Sequence, residues 1–330
     1  KDGVLIRQTV NVLNEIDLTD FQTRHAFNEI YETILKDLQS AGKSGEFYTP
    51  RAVTDFVVKM IDPQIGQTVA DFACGTGGFL VSALNHMKEQ ANDTESNEIL
   101  NKSFYGVEKK SLPYLLCTTN MLLHDVNEPN IIRGNSLEKN VRDYEDEDKF
   151  DVILMNPPYG GTEKKSVQQN FPTELRDSET ADLFMVEILY RLKQNGKVGI
   201  VLPDGFLFGN DNTKVNIKKK LMEECNLHTI IRLPGSIFAP YTSIATNLLF
   251  FDKTGPTKET WFYRMDLPDG YKAFSKTKPV ELIHMQPIID WWIDRTEIKD
   301  IKEDDSLTET WKAKKFTIDE IQQCNYNLDQ

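Results

Sequence analysis

Asp71-Phe72-Ala73-Cys74-Gly75-Thr76-Gly77-Gly78-Phe79-Leu80 is the stretch on which the fold turns. The apolar run Thr68 to Phe72 leads into it and a helical pattern follows, so the glycines sit on a strand-to-helix turn. Glycine has no Cβ, so such a turn lets a bulky ligand lie against the backbone. Gly75 and Gly77 do not complete a dinucleotide fingerprint, which would need Gly or Ala where Leu80 stands. On this stretch alone, a turn without a ligand is the competing reading. Outward from it, short apolar runs alternate with helical patterns at Phe104 to Val107, Val152 to Met155, Val198 to Leu202, Thr229 to Leu233 and Leu248 to Phe251. That alternation predicts an α/β fold whose doubly wound, mostly parallel sheet is covered by helices on both faces. One βα unit after the glycine turn, Phe104-Tyr105-Gly106-Val107-Glu108 puts an acid at the end of the second strand. Doubly wound folds bind ligands there, and a carboxylate in that place accepts from ribose hydroxyls.

The sharpest chemical signal is Asn156-Pro157-Pro158-Tyr159, at the end of the apolar run Asp151 to Met155. Neither proline can donate to a sheet ladder, and Pro157 holds Asn156 in extended geometry, so the strand stops and presents its next groups rigidly. An aromatic amine such as adenine N6 is a poor nucleophile, because its lone pair is delocalised into the ring. Two acceptors aimed at its N–H bonds would localise that pair, and the Asn156 side-chain oxygen and the Pro157 carbonyl are two such acceptors. Tyr159 offers a stacking face for a base swung out of a duplex. A strongly perturbed general base is not required, since the cationic product amine loses its proton readily.

The 330 residues are 39% hydrophobic, enough for a full α/β core with a remainder for accessory elements. Cys74, Cys117, Cys225 and Cys324 stand singly, so neither a disulfide nor a zinc framework is expected, and a reducing cytoplasm fits. The histidines are scattered, without metal-ligand spacing. No apolar run reaches the roughly 18 to 20 residues of a membrane span, so no membrane partner is expected. With 51 acidic and 38 basic residues the net charge is −13, the opposite of the footprint of a protein that grips nucleic acid alone. Either a basic patch is confined to one face, or a partner supplies the grip.

Residues 4 to 40 carry apolar positions at helical spacing and predict two amphipathic helices. The polar stretches 91–102 and 141–149 are expected at the surface, and the Gly-led stretch 160–172 is read as a mobile loop beside the site. Lys218-Lys219-Lys220 reads as a solvated helix face, and Trp291-Trp292 as packing. Beyond Gly255 the pattern becomes irregular. These shifts predict an N-terminal helical segment over 1–45, a catalytic domain over 46–255 and a C-terminal extension over 256–330 packed on the core.

Taken together, these segments resemble the amino-methylating DNA methyltransferases, in particular the modification subunits of type I restriction-modification systems. The resemblance covers roughly residues 20 to 330. Besides the two motifs above it rests on Gly45-Glu46-Phe47-Tyr48-Thr49-Pro50-Arg51, on Pro203-Asp204-Gly205 ending its strand, and on Leu233-Pro234-Gly-Ser-Ile-Phe238 leading into Thr246-Asn247-Leu-Leu-Phe-Phe251. It implies a seven-stranded-type methyltransferase sheet, S-adenosyl-L-methionine as cofactor, and methyl transfer to N6 of a flipped adenine in double-stranded DNA. Glu46, Phe47, Tyr48, Thr49, Pro50 and Arg51 would lie over the methionine end. Gly75, Thr76, Gly77 and Gly78 would line the methionine and sugar, Asp71 would act indirectly on the amino group, and Glu108 would hold the ribose. Asn135, in Gly134-Asn135-Ser136-Leu137, falls where many relatives carry Asp beside the cofactor's adenine; its carbonyl would keep an acceptor there. Phe238 is the candidate for the second face of the flipped base, with Tyr241 as the alternative. The resemblance further implies a specificity subunit, a restriction subunit and two copies of this chain per complex, and relatives with a larger N-terminal helical domain of which 1–45 would be a remnant. Two rival readings stay open: a protein glutamine N5-methyltransferase, whose planar nitrogen poses the same problem, and a non-catalytic cofactor-binding scaffold of a defence assembly.

Overall fold

The computed structural model describes residues 48–300 and 310–329, together with Arg7 and Tyr31. The helices expected over 4 to 40 otherwise lie outside the described residues, as do Glu46 and Phe47. The strands are β1 (Val69–Asp71), β2 (Phe104–Glu108), β3 (Asn130–Arg133), β4 (Phe150–Met155), β5 (Leu192–Pro203), β6 (Asn226–Arg232), β7 (Thr246–Asp252), β8 (Glu259–Arg264), β9 (Ile298–Asp300) and β10 (Thr310–Thr317). They form one sheet in the order β3-β2-β1-β4-β5-β7-β6-β8-β10-β9. β3 through β5 run parallel, β7 is inserted antiparallel between β5 and β6, and β8 returns parallel to β6. The chain leaves β1 toward β2 and β3 on one side and later enters β4 and β5 on the other. Such a reversal opens a crevice at the carboxyl ends of the strands flanking it.

Side chains of successive strand residues point to opposite faces, and both faces here are buried. On β4, Leu154 packs on one side with the helix Arg51–Ile61, while Ile153 and Met155 pack on the other with the helix Thr180–Arg191. On β7 the same alternation sends Leu248 and Phe250 one way and Leu249 and Phe251 the other.

Every expected strand is present, and four more are found. β3 was silent because only Ile131 of its four residues is buried, leaving no periodic signal. Beyond Gly255, β8, β10 and β9 extend the sheet in a stretch that had read as irregular. β10 is lysine-rich because its side chains are only partly covered near the sheet's edge, where lysines discourage further pairing. The stretch 91–102 is mainly exposed, as expected, but forms the helix Thr94–Lys102, started by an Asp93–Ser96 capping box. The solvated reading of Lys218 is corrected. Its ammonium is buried and donates to the Leu207 and Gly209 carbonyls, while Lys219 and Lys220 pair with Glu223 and Glu224. Trp291 and Trp292 pack, against Tyr263 and Trp261 and against Phe250 respectively.

Behind the crevice lies a buried ion pair. The Arg191 guanidinium meets Glu187 at 3.3 Å and is ringed by Phe72, Tyr144, Phe150 and Tyr105. Glu187 also accepts from Ser136 Oγ and the Tyr144 hydroxyl, so it ties the segment after β3 to the Thr180–Arg191 helix. Removing one partner of a buried pair leaves the other charged and uncompensated. Arg191→Ala should therefore destabilise the fold by about 3 to 5 kcal/mol in urea unfolding, whereas breaking an exposed, solvent-screened pair such as Lys149–Asp146 should cost far less. An Arg191→Ala loss of the exposed-pair size would contradict this picture.

Candidate active site

β4 ends at Met155 and delivers Asn156 to the crevice. The Asn156 amide nitrogen donates to Thr49 Oγ1 at 2.9 Å, and its side-chain oxygen is buried and accepts no hydrogen bond. Pro157 is buried, Pro158 exposed and Tyr159 half-buried. Burial pushes the Tyr159 phenol up to about 12, with the neighbouring Asn156 amide opposing the rise, so it is a neutral hydroxyl at ordinary pH.

At the end of β1 the glycine turn is built by hydrogen bonds rather than by apolar contact. Gly75 has φ +55°, a left-handed conformation that favours glycine, and a Cβ there would point into open space, as a ligand cradle requires. Its N–H donates to Glu108 Oε2 at 3.0 Å, and Glu108 Oε1 accepts from Lys110 N–H at 2.7 Å. The Thr76 carbonyl accepts from the buried Asn120 amide. Asp71 is buried and accepts from the Ala73 N–H. Burial pushes its carboxyl up to about 8; the Ala73 hydrogen bond opposes this and the Glu108 charge adds to it.

These groups share one cleft with a volume of about 640 Å³. Tyr48, Thr49, Asp71, Gly75, Thr76, Gly78, Glu108, Asn135, Asn156, Pro157, Pro158 and Tyr159 all line it. Four expected residues do not. Pro50 caps the helix Arg51–Ile61, and Arg51 donates to the Gly78 carbonyl, so both brace the wall from behind. Gly77 leaves room for Cys117, whose sulfur would lie 2.9 Å from an added Cβ, and not for a ligand. Phe238 is corrected outright: its ring is fully buried in the core, because the turn after Leu233 folds it inward with Ile237, and it presents no face to the cleft. Tyr241, three residues on, is half-buried.

The cleft also holds residues that sequence reasoning missed, among them Lys109, Lys110, Leu112, Pro113, Glu163, Thr180 and Phe184. Lys109 and Lys110 directly follow Glu108 and could have been found by extending that signal; Glu163 belongs to the loop expected beside the site but carries no residue signature, and Phe184 arrives from a distant segment with no local pattern. The stretch 160–172 is tied down where it meets the cleft, since Thr180 N–H donates to the Gly161 carbonyl and Glu163 N–H to that of Ser178.

The glycine cradle and Asn156, whose buried side-chain oxygen has no partner, therefore line one cleft, and comparison with known proteins agrees with that pairing. Residues 22–330 match the model of the N-6 DNA methylase family. The chain belongs to that family. It is 52% identical over 331 residues to the EcoEI type I restriction enzyme methylase subunit of Escherichia coli, an alignment covering 100% of this chain and 66% of that protein. A Vibrio vulnificus YJ016 chain assigned as a type I restriction enzyme's modification subunit superposes with a TM-score of 0.85 at 43% identity, covering 96% of this chain and 65% of that one. A Listeria monocytogenes chain assigned to the class I S-adenosylmethionine-dependent methyltransferases, 17% identical with a TM-score of 0.57 over 85% of this chain and 81% of its own, shares the fold. The chain thus spans between about half and two thirds of the length of the relatives it matches over most of its own length. No helix among the described residues is long and apolar enough to cross a membrane.

Asp71 gives this N-6 DNA methylase cleft a pH dependence. Its carboxyl is raised from 3.8 to about 8, so between those values the folded protein keeps a proton that the unfolded chain has lost. Stability therefore falls as pH rises through that window. Asp71→Asn keeps an acceptor for Ala73 and should flatten the decline. Thermal melts of ligand-free protein near pH 5 and near pH 8 should show the wild type losing more than the variant, and equal losses would contradict the raised carboxyl.

Proposed function

We propose that the chain transfers the methyl group of S-adenosyl-L-methionine to the N6 amine of a flipped adenine in double-stranded DNA, as the methylation subunit of a type I restriction-modification complex. One observation carries the reading: the Asn156 oxygen is buried, unpaired and set beside a glycine-cradled cleft. A buried acceptor left without a donor is unfavourable by about 1–3 kcal/mol, and an incoming N–H relieves it.

Residues 46–255 would form the catalytic domain and 256–330 its extension. Asp71, Gly75, Thr76, Gly78 and Glu108 fit the cofactor. Gly75 leaves open space, Glu108 lines the cleft with its carboxylate held at the end of β2 where ribose hydroxyls would reach it, and a cation in the cleft draws Asp71 into its ionised form. Tyr48 and Thr49 complete that wall. When bound, the cofactor supplies an electrophilic methyl carbon. The chain's own residues act on the amine. Thr49 fixes the Asn156 amide so that its oxygen accepts one N–H, and the Pro157 carbonyl accepts the other, which turns the nitrogen lone pair out of the ring plane. Tyr159 stacks on the base. Attack by that pair would break the sulfonium–methyl bond, leaving a thioether on the cofactor, and the methylated nitrogen would then release one proton to solvent.

The net charge of −13 supports delegating DNA recognition to a specificity subunit. A restriction subunit and two copies of this chain in the complex are proposed from the family resemblance alone. Asn156→Ala should leave cofactor affinity nearly intact and lower the methylation rate about 10²-fold or more, scored on DNA with the specificity subunit present. Mass spectrometry of the nucleosides should find N6-methyladenine; methylcytosine, or undiminished turnover in the variant, would refute the assignment. Glu108→Ala should weaken cofactor binding in calorimetry, and an unaltered dissociation constant would count against its ribose role.

A further inference from the structure

The carboxyl ends of β4, β1, β2 and β3 stand side by side, bearing Asn156, the glycine turn, Glu108 and Asn135 in that order. Neighbouring strands lie about 4.8 Å apart, so the row spans about 14 Å. A nucleoside ligand with its reacting carbon at Asn156 and its ribose at Glu108 brings its base to Asn135. The Asn135 side chain is already engaged at both ends of its amide. Its side-chain oxygen already accepts from the Leu137 N–H, capping the turn that follows, and its amide nitrogen donates to Glu163 Oε1 at 3.4 Å.

Glu163 comes from the segment after β4 and crosses to this end of the cleft. It is 8% exposed and lines the cavity. Its backbone is pinned, with its N–H donating to the Ser178 carbonyl and its carbonyl accepting from the Gln168 amide. Lys109 Nζ meets Oε1 at 2.8 Å, so both hydrogen bonds to the carboxylate fall on Oε1 and the lone pairs of Oε2 are left over.

We propose that Glu163, and not Asn135, is the acceptor that selects a 6-amino purine in the cofactor pocket. This rests on the cofactor reading above. Lys109 and Asn135 hold the carboxylate, and Oε2 receives one N–H of the exocyclic amine. A purine with a carbonyl at that position would set two acceptors against each other, which a site built for an N–H donor rejects.

The test is calorimetric and needs no turnover. S-adenosylhomocysteine and its 6-oxo counterpart, S-inosylhomocysteine, are titrated into this chain and into Glu163→Gln and Glu163→Ala. The wild type should prefer the adenosyl ligand by about tenfold or more, the size of a lost hydrogen bond to a charged group. Glutamine can turn its amide N–H toward a carbonyl, so Glu163→Gln should bring the two ligands to within about threefold, and alanine should weaken the adenosyl ligand alone. The ratio is taken within each protein, so partial loss of folded material cancels. Wild-type selectivity preserved in both variants would overturn the proposal and leave Glu163 as a tie for its segment. Failure of the wild type to bind either ligand would sink the cofactor reading itself.

Discussion

A carboxamide has a donating end and an accepting end, and the hydrogen bond from Asn156 to Thr49 commits only the first. The oxygen is left buried and without a donor, in a place where water would otherwise serve it. The fold sustains this because β4 is buried on both faces and held by β1 and β5, so the amide cannot swing away to find a partner. Pro157 removes the remaining freedom by restricting the backbone just before it. Strain of this kind is concentrated where a substrate relieves it, and the chemistry proposed for the amine follows from that single unanswered acceptor.

How much of this was legible in the sequence depends on whether a signal is local. Strands such as β4 and β7 are buried on two sides and read as continuous apolar runs, and the glycine turn and Asn156 to Tyr159 are contiguous, so both were found. β3 and β10 were missed because strands at or near an edge need little apolar surface, and their pairing comes from backbone groups that carry no residue signature. Phe238 and Lys218 were misread for a common reason. An aromatic after a turn and a lysine on a helix can face either way, and only the tertiary path decides. Lys218 faces inward because two carbonyls near the end of the preceding short helix give its ammonium acceptors that offset its lost hydration. The segment of Glu163 was legible as a loop beside the site, but not the residue itself, since its partners lie 54 and 28 residues away.

The same contrast separates where Asn135 lies from what its side chain bonds in the ligand-free fold. Position along the chain puts residue 135 at the end of β3, and the residue does line the cleft. What its side chain accepts is decided by the Leu137 N–H two residues on, a local competition that short polar side chains usually win over distant partners.

Glu108 shows how the sheet itself measures the site. Its two oxygens take one backbone N–H from the glycine turn after β1 and one from the segment after β2, so the carboxylate bridges the ends of adjacent strands. The distance it must bridge is set by the β1–β2 ladder, in which Asp71 lies beside Gly106. A shorter Asp at that position would have to surrender one of the two bonds. The carboxylate is thus oriented before any ligand arrives, and ordering it then costs a ligand little binding free energy. The ladder that makes the fold is therefore also what holds the cleft's acceptors in a row, at strand-to-strand intervals that no side chain chooses for itself.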